Sequence, residues 1–189
     1  MTDYKSLKVL LYADGSPHSF SATVYAASLF SSIPNMLLTV LHINESVQGS
    51  IEGEYNLMET WSTNPNSDWV EHLIDEEDSE KGLEYSQILT LTNKIFSKKG
   101  QNVTRQTIYS NYNIPDITEA ILSYATKKNF ELIIMGTRGL TSLKGLIYGS
   151  LAHSVLNKSN IPVLLIKKLP QEFIDNYGSV SDLDHNIFL

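Results

Sequence analysis

The sequence contains no cysteine, so disulfide bridges, thiolate metal sites and cysteine nucleophiles are excluded. It also lacks any apolar run close to the roughly 18 residues that a membrane-spanning helix requires. Positive charge is scarce, because 14 Lys and Arg residues stand against 21 Asp and Glu residues, for a formal net charge of −7. This acidic balance argues against nucleic-acid binding, which favours a basic face.

Several common catalytic motifs are absent as well. There is no Gly-x-Ser-x-Gly element, so a hydrolase triad has no support. There is no Gly-x4-Gly-Lys-Ser/Thr loop, so a P-loop nucleotidase is disfavoured. The five histidines show no metal-ligand spacing, and the apolar neighbours of His42 predict a hydrogen-bonded core residue. The sequence therefore assigns no catalytic residue and no metal ligand.

The length of 189 residues fits one domain with a hydrophobic core, and a hydrophobic fraction of 42% is typical of a globular protein. The first residues, Met1–Lys5, lack the basic start and apolar centre of a signal peptide. We therefore expect a cytoplasmic protein with no membrane segment.

Apolar runs typical of buried strands alternate with helical patterns along the chain. The predicted strands are Lys8–Tyr12, Met36–Ile43, Val103–Tyr109, Glu131–Met135 and Pro162–Ile166. The predicted helices begin at Pro17 after the N-cap Ser16, near Asp68, at Pro115 and near Gly149. This alternation predicts an α/β fold with one doubly wound, five-stranded parallel sheet, Rossmann-like or flavodoxin-like, in strand order 3-2-1-4-5.

Three segments do not follow this alternation. Asn44 to about Asp68 shows no periodicity and is interpreted as a long insertion. The acidic run Asp75–Glu80, in the helical stretch that ends near Lys99, is either a solvated face or a break in the helix. The chain after residue 168 mixes acidic and apolar residues, so the predicted domain spans 1–168 and a C-terminal extension spans 169–189.

The fourth strand leads into a glycine-rich segment, Met135–Gly139, and Gly149-Ser150 follows nine residues after Gly139. Glycines past a strand end let backbone N–H groups approach a ligand closely. The helix start at Gly149 adds unpaired N–H donors and a positive dipole end, and both favour a phosphate. A plain flexible connection is the alternative. Likewise, Arg138 and Lys144 are either phosphate contacts or solvated loop cations.

Asp14, Ile43 and Met135–Gly139 follow or end the first, second and fourth strands. Ligands of open α/β sheets bind outside the carboxyl ends of the strands, where the strand order reverses. The sequence therefore predicts a ligand site at this edge, although Asp14 alone also fits a strand end that caps a turn.

The pattern Gly-x2-Gly-x9-Gly-Ser, after a strand that ends in Met135, resembles the universal stress protein family, and in particular its ATP-binding branch. Lys8–Ser16, with its Asp-Gly-Ser turn, Val40–Ile43 and Ile161–Ile166 also resemble strands of that family. The resemblance covers roughly residues 5–32, 37–43 and 88–168. Tyr12 departs from it, because family members commonly have proline or a small residue there.

The resemblance implies binding of ATP, or of AMP or another adenine nucleotide, with Mg2+ accompanying the phosphates. Asp14 would lie against the adenosine, and Ile43 and Met135 would flank the base. The loop around the ribose and phosphates would be formed by Gly136, Arg138 and Gly139, and the helix start by Gly149, Ser150 and Leu151.

Three functions are consistent with this assignment. A nucleotide-dependent regulator of the stress response is favoured. A slow ATP hydrolase is the second, although the sequence offers no convincing general base: Asp14 is the only acid clearly placed near the site, and it is poorly placed for the γ-phosphate. The third is a nucleotide-independent scaffold. The family commonly dimerises through its last strand, so a homodimer through residues 161–167 is expected, with apolar residues of the extension docking on the partner subunit. A further protein partner is expected but not identified.

Overall fold

The computed structural model describes residues 6–45, 95–96, 103–111, 113–139 and 148–180. These residues form one parallel sheet with strand order β3-β2-β1-β4-β5. The strands are β1 (Leu7–Tyr12), β2 (Met36–Glu45), β3 (Val103–Ser110), β4 (Leu132–Gly136) and β5 (Val163–Ile166). The helices are α1 (Pro17–Ser32), α2 (Ile114–Lys127), α3 (Ser150–Lys158) and α4 (Gln171–Val180). The predicted fold class, strand number and strand order are confirmed.

Both faces of the sheet are buried, which explains why the central strands read as continuous apolar runs. On one face, Val9, Leu11, Val40 and Ile134 pack with residues of α1 and α4. On the other face, the sheet packs against α2 and α3 through Leu10, Leu41, Ile133, Ile121 and Val155. A one-residue shift of any central strand would exchange the two sets, so the register is strongly specified.

Side-chain caps define where two of the helices begin. The Ser16 hydroxyl accepts a hydrogen bond from the Ser19 N–H at 3.1 Å, which confirms the predicted cap of α1. The Asn113 side chain accepts from the Asp116 N–H at 2.9 Å and caps α2. The second helix therefore starts one residue before the predicted Pro115, because Asn113 satisfies an N–H that would otherwise lack a partner.

The C-terminal extension contains a helix, α4, that the sequence analysis did not predict. Ile174 is buried against the α1 side of the core. The ring of Phe173 stacks on Tyr25 of α1, with 6.4 Å between the ring centroids. The Leu169 N–H donates to the Ser21 hydroxyl at 3.0 Å. The described part of the extension thus packs on its own domain.

Several predicted features lie outside the described residues. They are residues 46–68 of the insertion, the acidic run Asp75–Glu80, most of the helix predicted from Asp68, the loop cation Lys144 and the extension beyond residue 180. Residues 44 and 45, assigned to the insertion, instead continue β2. Ile95 and Phe96 are helical and buried, as the predicted helix requires. Within the described ranges, no helix is long and apolar enough to span a membrane.

Candidate functional site

The strand order reverses between β1 and β4, so the carboxyl ends of these two neighbouring strands form the switch point. Their register pairs Leu11 with Ile134, which brings the residues that follow both strands to the same edge. The Ala13 N–H bonds the Leu41 carbonyl at 2.9 Å and extends the pairing to β2. Asp14 and the segment Gly136–Gly139 therefore lie beside one another, as predicted.

Gly136 lets the first turn of α1 lie directly on the end of β4. A Cβ atom at this position would lie 2.7 Å from the backbone carbon of His18 and from the backbone nitrogen of Ser19. Real Cβ atoms essentially never come this close to other heavy atoms. Only glycine therefore permits this packing, and the beginning of α1 is held at the switch point.

Two serine hydroxyls connect the turn after β1 to the loop after β4. The Ser16 hydroxyl, besides capping α1, donates to the Arg138 carbonyl at 3.1 Å. The Ser19 hydroxyl accepts from the Asp14 N–H at 3.2 Å. The sequence analysis assigned Ser16 only a capping role and overlooked Ser19, because both cross-links depend on loops that meet only in the folded chain.

The carboxylate of Asp14 lies over the backbone of Gly139. A Cβ on Gly139 would stand 2.8 Å from Asp14 Oδ2, while Asp14 Oδ1 accepts the Ser16 N–H at 2.9 Å. Desolvation by the surrounding protein raises the pKa of this carboxyl above 3.8, and the hydrogen bonds from Ser16 oppose the rise. The residue as a whole is half-buried.

The start of α3 is fixed to the same loop. The Gly149 N–H donates to the Thr137 carbonyl at 2.7 Å, and the Thr137 N–H donates to the Ile166 carbonyl at 2.8 Å. Gly149 is the N-cap and has no side chain to satisfy the first-turn N–H groups of Ser150 and Leu151. The Ser150 side chain is exposed. The arrangement places beside Gly139 the positive dipole end of α3 and first-turn N–H groups that have no partner among the described residues.

The apolar residues predicted to flank a base lie at the same edge but belong to the core. Ile43 and Met135 are buried in one cluster with Tyr12, on the α2 and α3 side of the sheet. Tyr12, the residue that departs from the resemblance noted in the sequence, is thus buried in the core at this edge.

Two histidines lie near this edge. His42 is buried, and its Nδ1 lies 2.8 Å from the Ala13 carbonyl, which only accepts, so Nδ1 carries the hydrogen. Burial lowers the His42 pKa. The prediction of a hydrogen-bonded core residue is confirmed. His18 was not identified from the sequence. Its pKa is lowered by burial and by the positive charges of Arg138 and Lys168, whereas Asp14 opposes this.

Metal binding by protein ligands has little support at this edge. Across the part of the chain that the structure describes, no group of three or more His, Cys, Asp or Glu side chains is placed to hold a metal ion. Asp14 is the acidic residue at the switch point, and one of its oxygens already accepts a backbone N–H.

Sequence comparisons identify relatives of the chain. Universal stress protein YxiE of Bacillus subtilis is 36% identical over 97 residues, which cover 51% of this chain and 62% of that protein. Universal stress protein MJ0577 of Methanocaldococcus jannaschii is 29% identical over 120 residues, covering 51% of this chain and 74% of that protein. The match to YxiE therefore spans less than two thirds of the length of that relative.

Solved structures share the fold. A structure of MJ0577 gives a TM-score of 0.56 at 22% identity, covering 87% of this chain and 97% of that one. A universal stress protein in complex with cAMP gives a TM-score of 0.51 at 16% identity, covering 87% and 98% of the two chains. The profile described as "Universal stress protein family" matches residues 6–167, nearly the whole predicted domain. The chain belongs to the universal stress protein family.

Proposed function

We propose that the protein binds an adenine nucleotide, ATP, at the edge formed by β1, β4 and α3, and acts as a nucleotide-dependent regulator of the stress response. One observation carries the proposal: the backbone of Gly139 lies close both to the Asp14 carboxylate and to the start of α3 at Gly149. An acceptor suited to hydroxyl groups and N–H donors suited to phosphates thus stand beside one loop.

Each residue then has a role in the proposed complex. The N–H groups of Ser150 and Leu151, with the Ser150 hydroxyl, bind phosphate oxygens. Asp14 accepts hydrogen bonds from the adenosine hydroxyls. The loop residues Gly136, Arg138 and Gly139 approach the ribose and phosphates. Their neighbours Ile43 and Met135 lie beside the base.

Mg2+ would bind with the triphosphate and neutralise part of its charge. The described residues provide no cluster of side chains to hold this cation, so phosphate oxygens would supply most of its ligands. The family member solved with cAMP supports the adenine class of ligand. It leaves the number of phosphates for experiment, and AMP is the main alternative to ATP.

As a regulator, the protein would act in the cytoplasm by changing what its surface offers a protein partner. Such a change requires that the partner bind the nucleotide-bound and nucleotide-free states with different affinity. Gly136–Gly139 and Gly149 are the described ends of the connection between β4 and α3, and they are where bound phosphates would act.

Calorimetry with Mg-ATP, and separately with AMP, tests the proposal. Ala at Gly139 would push Asp14 Oδ2 aside, and Ser150→Ala removes a hydroxyl donor, so each variant should bind ATP about tenfold more weakly. Ser32→Ala is the matched control, since Ser32 is an exposed serine at the far end of α1. Absence of heat with every adenine nucleotide at millimolar concentration would refute nucleotide binding.

A dimeric scaffold is the second candidate, and the position of β5 favours it. In the sheet that the structure describes, β5 is an edge strand, and its residues Val163–Leu165 are only partly buried. An apolar edge with unpaired backbone groups favours pairing with a second copy through residues 161–167. Light scattering that gives a monomer mass at micromolar concentration would contradict the dimer, with or without nucleotide.

A further inference from the structure

His42 is a buried titratable residue on β2 that the proposed function does not use. Its side chain is in the core, and the residue is 6% exposed. Its Nδ1–H donates to the Ala13 carbonyl at 2.8 Å. Ala13 directly follows β1, so this bond runs from a side chain of one strand to the backbone at the carboxyl end of the neighbouring strand. A core histidine is thereby joined to the switch point.

The Ala13 carbonyl depends on this bond because the residue has no contact with bulk solvent. Ala13 is 0% exposed, so its carbonyl group requires a donor from within the fold. Its N–H already donates to the Leu41 carbonyl at 2.9 Å. Strand β2 therefore holds both polar groups of Ala13, one through its backbone and one through the His42 ring. Burial lowers the pKa of His42, which favours the neutral ring.

The same bond fixes the peptide group that leads into Asp14. The Ala13 carbonyl and the Asp14 N–H belong to one planar unit. The Ser19 hydroxyl accepts the Asp14 N–H at 3.2 Å. The plane is thus held at the carbonyl by the His42 ring and at the N–H by the start of α1. The Asp14 carboxylate lies over Gly139, and a rotation of this plane would move it away.

We propose that His42 is a positioning residue for the nucleotide, which sets, through the Ala13–Asp14 peptide, the direction in which the Asp14 carboxylate meets the ribose hydroxyls. The inference rests on the proposed function, in which Asp14 accepts hydrogen bonds from those hydroxyls. His42 acts only through Asp14 and does not contact the nucleotide. Its loss weakens recognition of the ribose and leaves the phosphate contacts at the start of α3 in place.

Titrations with ATP and with dideoxy-ATP, which lacks both ribose hydroxyls, test this role. In His42→Leu the Ala13 carbonyl loses its donor, and ATP affinity should fall about five- to tenfold. Affinity for dideoxy-ATP should change by less than about twofold, because that nucleotide offers Asp14 no hydroxyl. A histidine that only stabilises the core would reduce the affinity for both nucleotides alike.

Two further variants separate the lost hydrogen bond from a disturbed core. His42→Asn keeps a donor, because its amide nitrogen is attached to Cγ as the ring Nδ1 is, and it should retain the preference for ATP over dideoxy-ATP. Thr107→Val is the matched control. Thr107 pairs with His42 in the β2–β3 register, is equally buried, and has a hydroxyl without a hydrogen-bond partner in the part of the chain that the structure describes. Both affinities should stay within about twofold of the wild type in this variant.

The outcomes distinguish the positioning role from the proposed function. Equal wild-type affinities for the two nucleotides, equal losses in His42→Leu, or a selective loss of ATP affinity in Thr107→Val would overturn the positioning role while nucleotide binding stands. A wild-type protein that binds neither nucleotide would overturn the proposed function itself. Nitrogen NMR of the wild-type ring tests the hydrogen bond without any variant: hydrogen on Nδ1 is expected, and hydrogen on Nε2 alone would overturn the positioning role.

Discussion

The contact between Gly136 and α1 predicts a specific loss of stability. In Gly136→Ala, the new methyl group would stand 2.7 Å from two backbone atoms of His18 and Ser19. Backbone atoms of a helix cannot rotate aside as the end of a flexible side chain can. The first turn of α1 must therefore move away from β4 by several tenths of an ångström.

The magnitude follows from two opposing effects. Overpacking a close contact typically costs about 1–3 kcal/mol. Replacing glycine by alanine restricts the unfolded chain and returns about 0.4–1 kcal/mol, because the φ angle of Gly136 is one that alanine adopts. The displaced turn also contributes Ser19 to the Asp14 N–H and Ser16 to the Arg138 carbonyl. We expect a net loss of about 2 kcal/mol in the free energy of unfolding.

Urea denaturation, followed by circular dichroism, measures this loss. Gly139→Ala is the comparison, since its methyl group meets only the end of the Asp14 side chain, and its effect on stability should be smaller. A Gly136→Ala protein that unfolds within about 0.5 kcal/mol of the wild type would refute the reasoning. It would mean that α1 can move away from β4 without measurable cost.

Two further predictions concern the extension and the acidic residue of the site. Ile174→Ala should lower the free energy of unfolding by about 2 kcal/mol, since Ile174 is buried against α1. The control, Glu172→Ala on the exposed side of α4, should change it by less than about 0.5 kcal/mol. Equal effects of the two variants in urea denaturation would mean that α4 is not docked on α1. The raised pKa of Asp14 contributes stability that is present below pH 3.8 and is lost as pH rises through the folded-state pKa. Asp14→Asn, which keeps an acceptor for the Ser16 N–H, should therefore be more stable than the wild type at neutral pH and lose that advantage below pH 3.8; an advantage that is independent of pH in thermal unfolding would contradict this.

Much of the fold could be predicted because the information was local. The apolar runs of β1, β4 and β5 and the cap at Ser16 are readable within a few residues of sequence. Helix α4 was missed for the opposite reason. Its apolar residues Phe173 and Ile174 are few, and their partner is the surface of α1, some 150 residues earlier in the chain. Pro170 just before the helix was an available start signal.

The candidate site, like the fold, was predictable from the sequence only where the information was local. Asp14 and the glycines were predictable, because the strand ends and the glycine spacing place them at one edge. The contact of Gly139 with Asp14 Oδ2 and the bond from Ser16 to Arg138 were not, since each joins loops more than 120 residues apart. His18 carries no local signal, because its surroundings come from Arg138, Lys168 and Gly136.

The Ser21 hydroxyl couples the C-terminal extension to the edge of the sheet where the nucleotide is proposed to bind. It accepts the Leu169 N–H and donates to the Pro17 carbonyl at 3.1 Å, so one buried oxygen joins the chain before α4 to the first turn of α1. Whatever stabilises that turn must, by reciprocity, also stabilise the docked extension. Amide hydrogen exchange at Leu169 would therefore slow when the edge is occupied, and the tail would report on a site that it does not touch.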